Sequence, residues 1–190
     1  RKPWRCVMAI SSTLKTFLDT HKVKYKSLKH PTVYTAQEIA AAQHVPGRQL
    51  AKCVLVKTER GVHLAVLPAI HLVDLAKLKT VLRVKKVCLA NEVDIKLAFA
   101  DVEVVAMSPF GTLYQVPTIV DKALAQSEEI VCNAGSHTET IKLRYRDFER
   151  LAKPRVGLFA LDRTKIRSPK KRAASARGSR TGRTRRRKTR

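Results

Sequence analysis

Leu50-Ala51-Lys52-Cys53-Val54-Leu55-Val56-Lys57 and Val62-His63-Leu64-Ala65-Val66-Leu67 are two apolar, β-branched-rich runs, and Thr58-Glu59-Arg60-Gly61 joins them. Two such runs around a short loop with one glycine are what an antiparallel hairpin requires. Strand alternation puts Lys52 on the face of Val54 and Val56 and turns Cys53 to the opposite face. An ammonium inside so apolar a run is costly to bury unless it reaches water or a polar partner. The residues alone leave two readings: Lys52 snorkels to solvent from the wet end of the strand, or its head group enters a pocket.

Upstream of the hairpin, Leu14, Phe17 and Leu18 follow helical spacing behind Ser11 and Ser12, either of which can cap. Val23-Lys24-Tyr25 then reads as a strand start. Thr35-Ala36-Gln37-Glu38 has capping-box spacing, and the helix it opens is expected to end near His44, before Pro46-Gly47. Downstream, a helix is expected from Leu72 to Val81, a strand over Lys86–Leu89, and a helix from the Asn91 cap to Phe99. Strands follow at Glu103–Ala106, Thr118–Val120, Ile130–Cys132 and Thr140–Leu143, and a last helix, Tyr145–Ala152, stops before Pro154. Irregular interleaving with several short connections gives an α+β class: one domain with a mixed, largely antiparallel sheet flanked by helices.

That domain is expected over residues 8–160, with Arg1 to Val7 read as leader or appended residues and 161–190 as a disordered basic tail. From Arg163 onward the tail holds 14 of the 39 Lys and Arg residues and no acid, so it lacks the apolar surface to offset chain entropy. The other 25 cations face all 15 acids, which leaves residues 1–162 at +10. A basic domain with Arg185-Arg186-Arg187-Lys188 beyond it favours a polyanion partner, and nucleic acid first, with the tail contacting RNA phosphates. No apolar run approaches the roughly 18 residues of a membrane span, so a cytoplasmic protein without membrane contact is expected. Cys6, Cys53, Cys88 and Cys132 form no Cys-x-x-Cys pair, which argues against a zinc knuckle or redox dithiol, and no metal or other cofactor is expected.

Two segments outside the hairpin carry candidate chemistry. Ser108-Pro109-Phe110-Gly111 is a turn whose amides either serve the turn alone or face a carbonyl or oxyanion. Asn133-Ala134-Gly135-Ser136-His137 reads as a tight loop between strands, with one imidazole that is either structural or functional. Ser136 beside His137 is no catalytic dyad, because adjacent side chains diverge.

As an ordered set, His30-Pro31, Thr35-Ala36-Gln37-Glu38, Ala51-Lys52, Ser108-Pro109-Phe110-Gly111-Thr112-Leu113-Tyr114, Val120-Asp121 and Asn133-Ala134-Gly135-Ser136-His137 resemble the YbaK and prolyl-tRNA-synthetase editing-domain family, the ProX-like aminoacyl-tRNA deacylases. The resemblance runs from about Ser12 to Phe159, including Tyr145-Arg146-Asp147-Phe148. It implies hydrolysis of the ester between a wrong amino acid and tRNA, by a water positioned with help from a substrate ribose hydroxyl and backbone oxyanion contacts. It implies Lys52, Gly111 and His137 as catalytic residues, and His30, Ser108, Phe110, Gly135 and Ser136 as substrate-binding ones. Aminoacyl-tRNA is the implied partner, with an aminoacyl-tRNA synthetase as a second. Editing as a separate step follows from the 1–3 kcal/mol or so that one methylene contributes to discrimination in a synthetase pocket.

Val105 and Gln115 stand where relatives commonly have glycine. The alternative to an active enzyme is therefore a catalytically weak tRNA- or synthetase-binding module of the same fold. A general RNA-associated protein dominated by its tail is the third reading.

Overall fold

The computed structural model describes residues 10–162 except 101, 104 and 105. The leader, the tail from Arg163 and Val105 therefore lie outside the described residues, as does part of the strand expected at 103–106. Glu103 and Ala106 themselves are not in a strand.

The hairpin forms as β2 (Leu50–Thr58) and β3 (Gly61–Pro68), in register from Ala51↔Pro68 to Thr58↔Gly61. Glu59 and Arg60 keep negative φ, and Gly61 takes φ +105°, the left-handed step that closes such a loop. The Thr58 hydroxyl donates to the Gly61 carbonyl and accepts from the Arg60 amide.

The preceding elements are α1 (Ser12–Thr20), β1 (Tyr25–Lys29) and α2 (Ala36–Ala42). Ser11 sits at the N-cap of α1, but its hydroxyl makes no cap bond; its N–H donates to the Ala134 carbonyl. Thr35 and Glu38 close the expected capping box on α2. Next come β4 (His71–Val73), α3 (Leu75–Leu82), β5 (Val87–Leu89) and α4 (Glu92–Ala98), whose Asn91–Asp94 pair forms a second capping box. A 3₁₀ turn spans Gly111–Tyr114, followed by β6 (Thr118–Asp121), α5 (Lys122–Ala125), β7 (Glu129–Ser136), β8 (Glu139–Arg144), α6 (Tyr145–Ala152), β9 (Arg155–Gly157) and β10 (Ala160–Asp162).

Two further expectations are corrected. The helix expected from Leu72 starts at Leu75, because Asp74 caps it through the Ala76 and Lys77 amides and β10 recruits Leu72 and Val73 into β4. Asn133–Ser136 is not a loop but the end of β7, with an irregularity between Asn133 and Ser136 where Gly135 has φ +98°. β10 pairs with β4 through Asp162, the last described residue.

Among the described residues an eight-stranded mixed sheet runs β1-β8-β7-β2-β3-β6-β9, with β5 also on β2, and β4 and β10 form a separate ribbon. The fold is α+β in one domain. One sheet face, with Ala51, Leu55, Val66 and Ile141, packs on Leu14 and Leu18 of α1 and Phe148 and Leu151 of α6. The other packs Val56, Leu67 and Ile119 on Leu78 and Leu82 of α3, and Leu50 and Val131 on Ile39 of α2.

Candidate functional site

β7 pairs with β2 in parallel only at Leu50↔Val131 and Ala51↔Cys132, whereas β5 joins the same edge from Val56 onward. Between them, Lys52–Leu55 have a partner strand only on the β3 side. The Gln49 carbonyl accepts from Val131 N–H and the Leu55 carbonyl from Ala90 N–H, so the odd residues of β2 direct their backbone groups to this edge. Alternation then aims the Cys53 N–H and C=O into the gap.

A cavity of about 370 Å³ opens there. Residues 50–55 of β2 line it, with Tyr34, Thr35 and Ala36 at the head of α2, Leu89, Ala90 and Ile95 from β5 to α4, and Met107 and Asn133. One residue beyond Ala51↔Cys132, Lys52 stands level with Asn133 on the α2 face of the sheet. The Lys52 ammonium donates to the His71 carbonyl at 2.6 Å, which holds the long side chain along β4.

Cys53 and Cys132 are free thiols on the opposite face, and burial pushes both well above the ordinary thiol range. Neither supplies a thiolate nucleophile at neutral pH. In a short iodoacetamide pulse at pH 8, exposed Cys88 is expected to be alkylated before Cys53, as read by mass spectrometry; equal labelling would show that Cys53 is neither desolvated nor confined.

Lys52 lines the cavity, and His137 borders it through Tyr34, whose ring meets the imidazole edge to face with centroids 4.9 Å apart. The His137 N–H donates to Glu103 Oε2 at 2.7 Å, and His137 Nε2 lies 3.9 Å from the same oxygen. The other expected residues are not among those that line it. The Phe110 ring is fully buried, edge-on to Phe17 and Phe148, and so packs the core. Ser108 is buried beside it in sequence. A Cβ at Gly111 would overlap the Val116 carbonyl and the Thr118 hydroxyl, so only glycine lets the 3₁₀ turn close on β6. Gly135 donates to the Ala106 carbonyl and accepts from Glu103 N–H. His30 is buried, its Nδ1 2.8 Å from the Pro31 carbonyl, and Ser136 Oγ lies 3.5 Å from Thr138 Oγ1.

Tyr34 was not expected in the site, and Asn133 was expected only as part of its loop and not as a lining residue. Tyr34 was discoverable from its place beside the Thr35 cap, whereas Asn133 required the β2–β7 register. Gln115, flagged in place of a glycine, has φ +55°, the left-handed region in which a side chain is strained. Gln115→Gly is expected to raise stability by about 0.5–1 kcal/mol, the relief of that strain less the added freedom of the unfolded chain, in a denaturant titration. A lower midpoint would show that the Gln115 side chain is itself needed.

Among the described residues no group of three or more His, Cys, Asp or Glu is placed to hold a metal ion, and no helix is long and apolar enough to cross a membrane. No curated protein matches the chain. Solved structures do. A protein described only as hypothetical superposes with a TM-score of 0.72 at 16% identity, covering 79% of this chain and all 100% of its own. A protein described as a candidate trans-editing enzyme for prolyl tRNA synthetase gives 0.69 at 18% identity, covering 80% of this chain and 99% of its own. A third, described as a candidate signal transduction protein from Marinobacter aquaeolei VT8, gives 0.62 at 18% identity, over 80% of this chain but 31% of its own. At these identities the likeness establishes the fold. The sequence model of the aminoacyl-tRNA editing domain matches residues 30–151, a span that runs from His30 through the cavity strands to α6. With the match covering most of the chain, the protein belongs to the aminoacyl-tRNA editing domain family.

Proposed function

We propose that the protein is a trans-editing deacylase that hydrolyses the ester of mischarged aminoacyl-tRNA in the cavity at the open edge of β2. The observation that carries this reading is Lys52, a cation on an apolar strand, standing level with Asn133 where β2 and β7 part. The Lys52 charge suits the phosphate or ester oxygen at the tRNA end, and the backbone edge at Cys53 offers a fixed donor and acceptor. Fixed dipoles in a partly dry cavity suit an activated ester, which needs placement and oxyanion stabilisation more than a strong nucleophile.

The water oxygen bonds to the ester carbonyl carbon, and the tetrahedral oxyanion is held by backbone N–H groups and Lys52. The bond from that carbon to the ribose oxygen then breaks. The neighbouring ribose hydroxyl relays the proton from water to the leaving oxygen, so free amino acid and tRNA with an intact terminal ribose result. Walls of Leu50, Val54, Leu55, Ile95 and Met107 suit a small apolar aminoacyl group.

The catalytically weak module of the same fold has one observation in its favour: the backbone of Gly135 and the space around Gly111 are taken up by internal contacts. Steady-state hydrolysis of several mischarged tRNAs separates the two. Tight binding with no ester loss above buffer would support the binding module and defeat the deacylase.

A further inference from the structure

Another depression among the described residues lies on the same sheet face as the Lys52 cavity, on the other side of α2. It is a groove of about 500 Å³ whose cations are Lys22, Lys24, Lys26, Lys142, Arg144 and Arg146. We propose that this groove seats the phosphate backbone of the RNA whose 3′ end enters the cavity, a partner that rests on the editing reading above.

The register shows how the charges come together. Lys26 lies directly across from Lys142 in the β1–β8 pairing, and Arg144 is across from Glu129 in β7–β8. Like charges facing each other across a ladder are destabilising, and no packing of the fold requires the Lys26–Lys142 pair. Two carboxylates, Glu129 and Asp147, share the groove with the six cations, leaving four positive charges in excess. Both carboxylates have partners: Glu129 lies 2.6 Å from the Lys142 ammonium, and Asp147 lies 3.4 Å from Arg150 outside the groove. A concave surface with that excess concentrates a polyanion.

The placement fits one ligand reaching both sites. Glu129, Val131 and Asn133 alternate onto a single face of β7, with Glu129 in the groove and Asn133 on the cavity wall. Four residues of strand separate them by about 13 Å. Between them α2 covers Val131, and the side chain of Gln43, which caps its C-terminal end, is bound to Thr140 and to the Leu28 carbonyl. A strand end in the cavity and its following duplex over the groove therefore straddle α2.

The test is binding of uncharged tRNA to the full chain across a series of salt concentrations, with wild type, the quadruple variant K24Q/K26Q/R144Q/R146Q, and E129Q. The tail is present in all three, so its contribution cancels. Each lost phosphate contact removes about 0.7–0.9 from the slope of log affinity against log salt, so the quadruple variant is expected to lose about 3 units of slope and to bind roughly tenfold or more weaker at low salt. Its thermal midpoint should hold or rise, because like charges are removed. E129Q, which adds to the positive excess, is expected to bind tighter.

An unchanged slope and affinity in the quadruple variant would overturn the proposal and give the groove to another acidic partner. If that variant unfolds, E129Q decides: tighter binding supports the groove and unchanged binding sinks it. Wild-type protein that binds tRNA in this salt-dependent way but hydrolyses no ester would defeat the editing reading while the groove stands.

Discussion

Lys52→Met is expected to lower kcat/KM for a mischarged tRNA by roughly 10²–10³, the range for losing one fixed electrostatic contact to the reacting group. Methionine keeps most of the apolar stem, so the strand still packs, while the ammonium and its bond to the His71 carbonyl are lost. A hydrogen bond from a charged donor contributes about 1.5–3 kcal/mol, so the variant should remain folded at assay temperature. Lys52→Arg retains charge but not shape, and is expected to recover little, because guanidinium cannot follow the same path to a single carbonyl. Wild-type rates in Lys52→Met would remove Lys52 from the mechanism.

Asp121→Ala is expected to destabilise the domain by about 4 kcal/mol, a fall in melting temperature of roughly 8–16 °C. Asp121 is fully buried; Oδ2 accepts from the Phe159 and Ala160 amides at 2.8 and 2.7 Å, and Oδ1 accepts from Ala123 N–H at 2.9 Å. Alanine leaves three donors without that acceptor, the Phe159 amide buried and the Ala123 and Ala160 amides half-buried. The effect reaches the site through a short chain of contacts: residues 159–160 lead into β10, Asp162 pairs with His71 in β4, and the His71 carbonyl holds Lys52. Activity should therefore fall even well below the melting transition, whereas Asp121→Asn, which keeps one acceptor, should lose less of both. A melting shift under about 2 °C would show that these bonds do not hold the segment.

Local signals made much of the fold readable in advance. Thr35 and Asn91 announce their helices because a capping box is written within four residues, and Gly61 announces the hairpin because its loop needs one residue with positive φ. Tyr145–Ala152 was readable from its periodic buried face and the proline beyond it. The misses are tertiary. Leu72 and Val73 fit a helical pattern, yet β10, remote in sequence, claims them as a strand. β9 and β10 are three residues each and exist only through their partners β6 and β4. Asn133 and Gly135 read as loop residues because both favour turns, but β8 continues to pair beside them.

The candidate site shows the same division. Alternation alone set Lys52 against Cys53 on opposite faces, and an apolar strand alone made its ammonium conspicuous. What no local pattern contains is the point at which β2 and β7 part, because that depends on a two-pair parallel register between distant strands. Phe110 marks the limit of a motif: the turn it belongs to is where it was expected, but its ring faces the core.

The most direct test is the initial rate of ester loss from a panel of mischarged tRNAs, with small apolar amino acids first, measured with the purified protein and with buffer alone. At least one small apolar aminoacyl-tRNA should be hydrolysed well above the buffer rate, with Lys52→Met returning that rate toward buffer. A panel in which every ester decays at the buffer rate would contradict the deacylase reading.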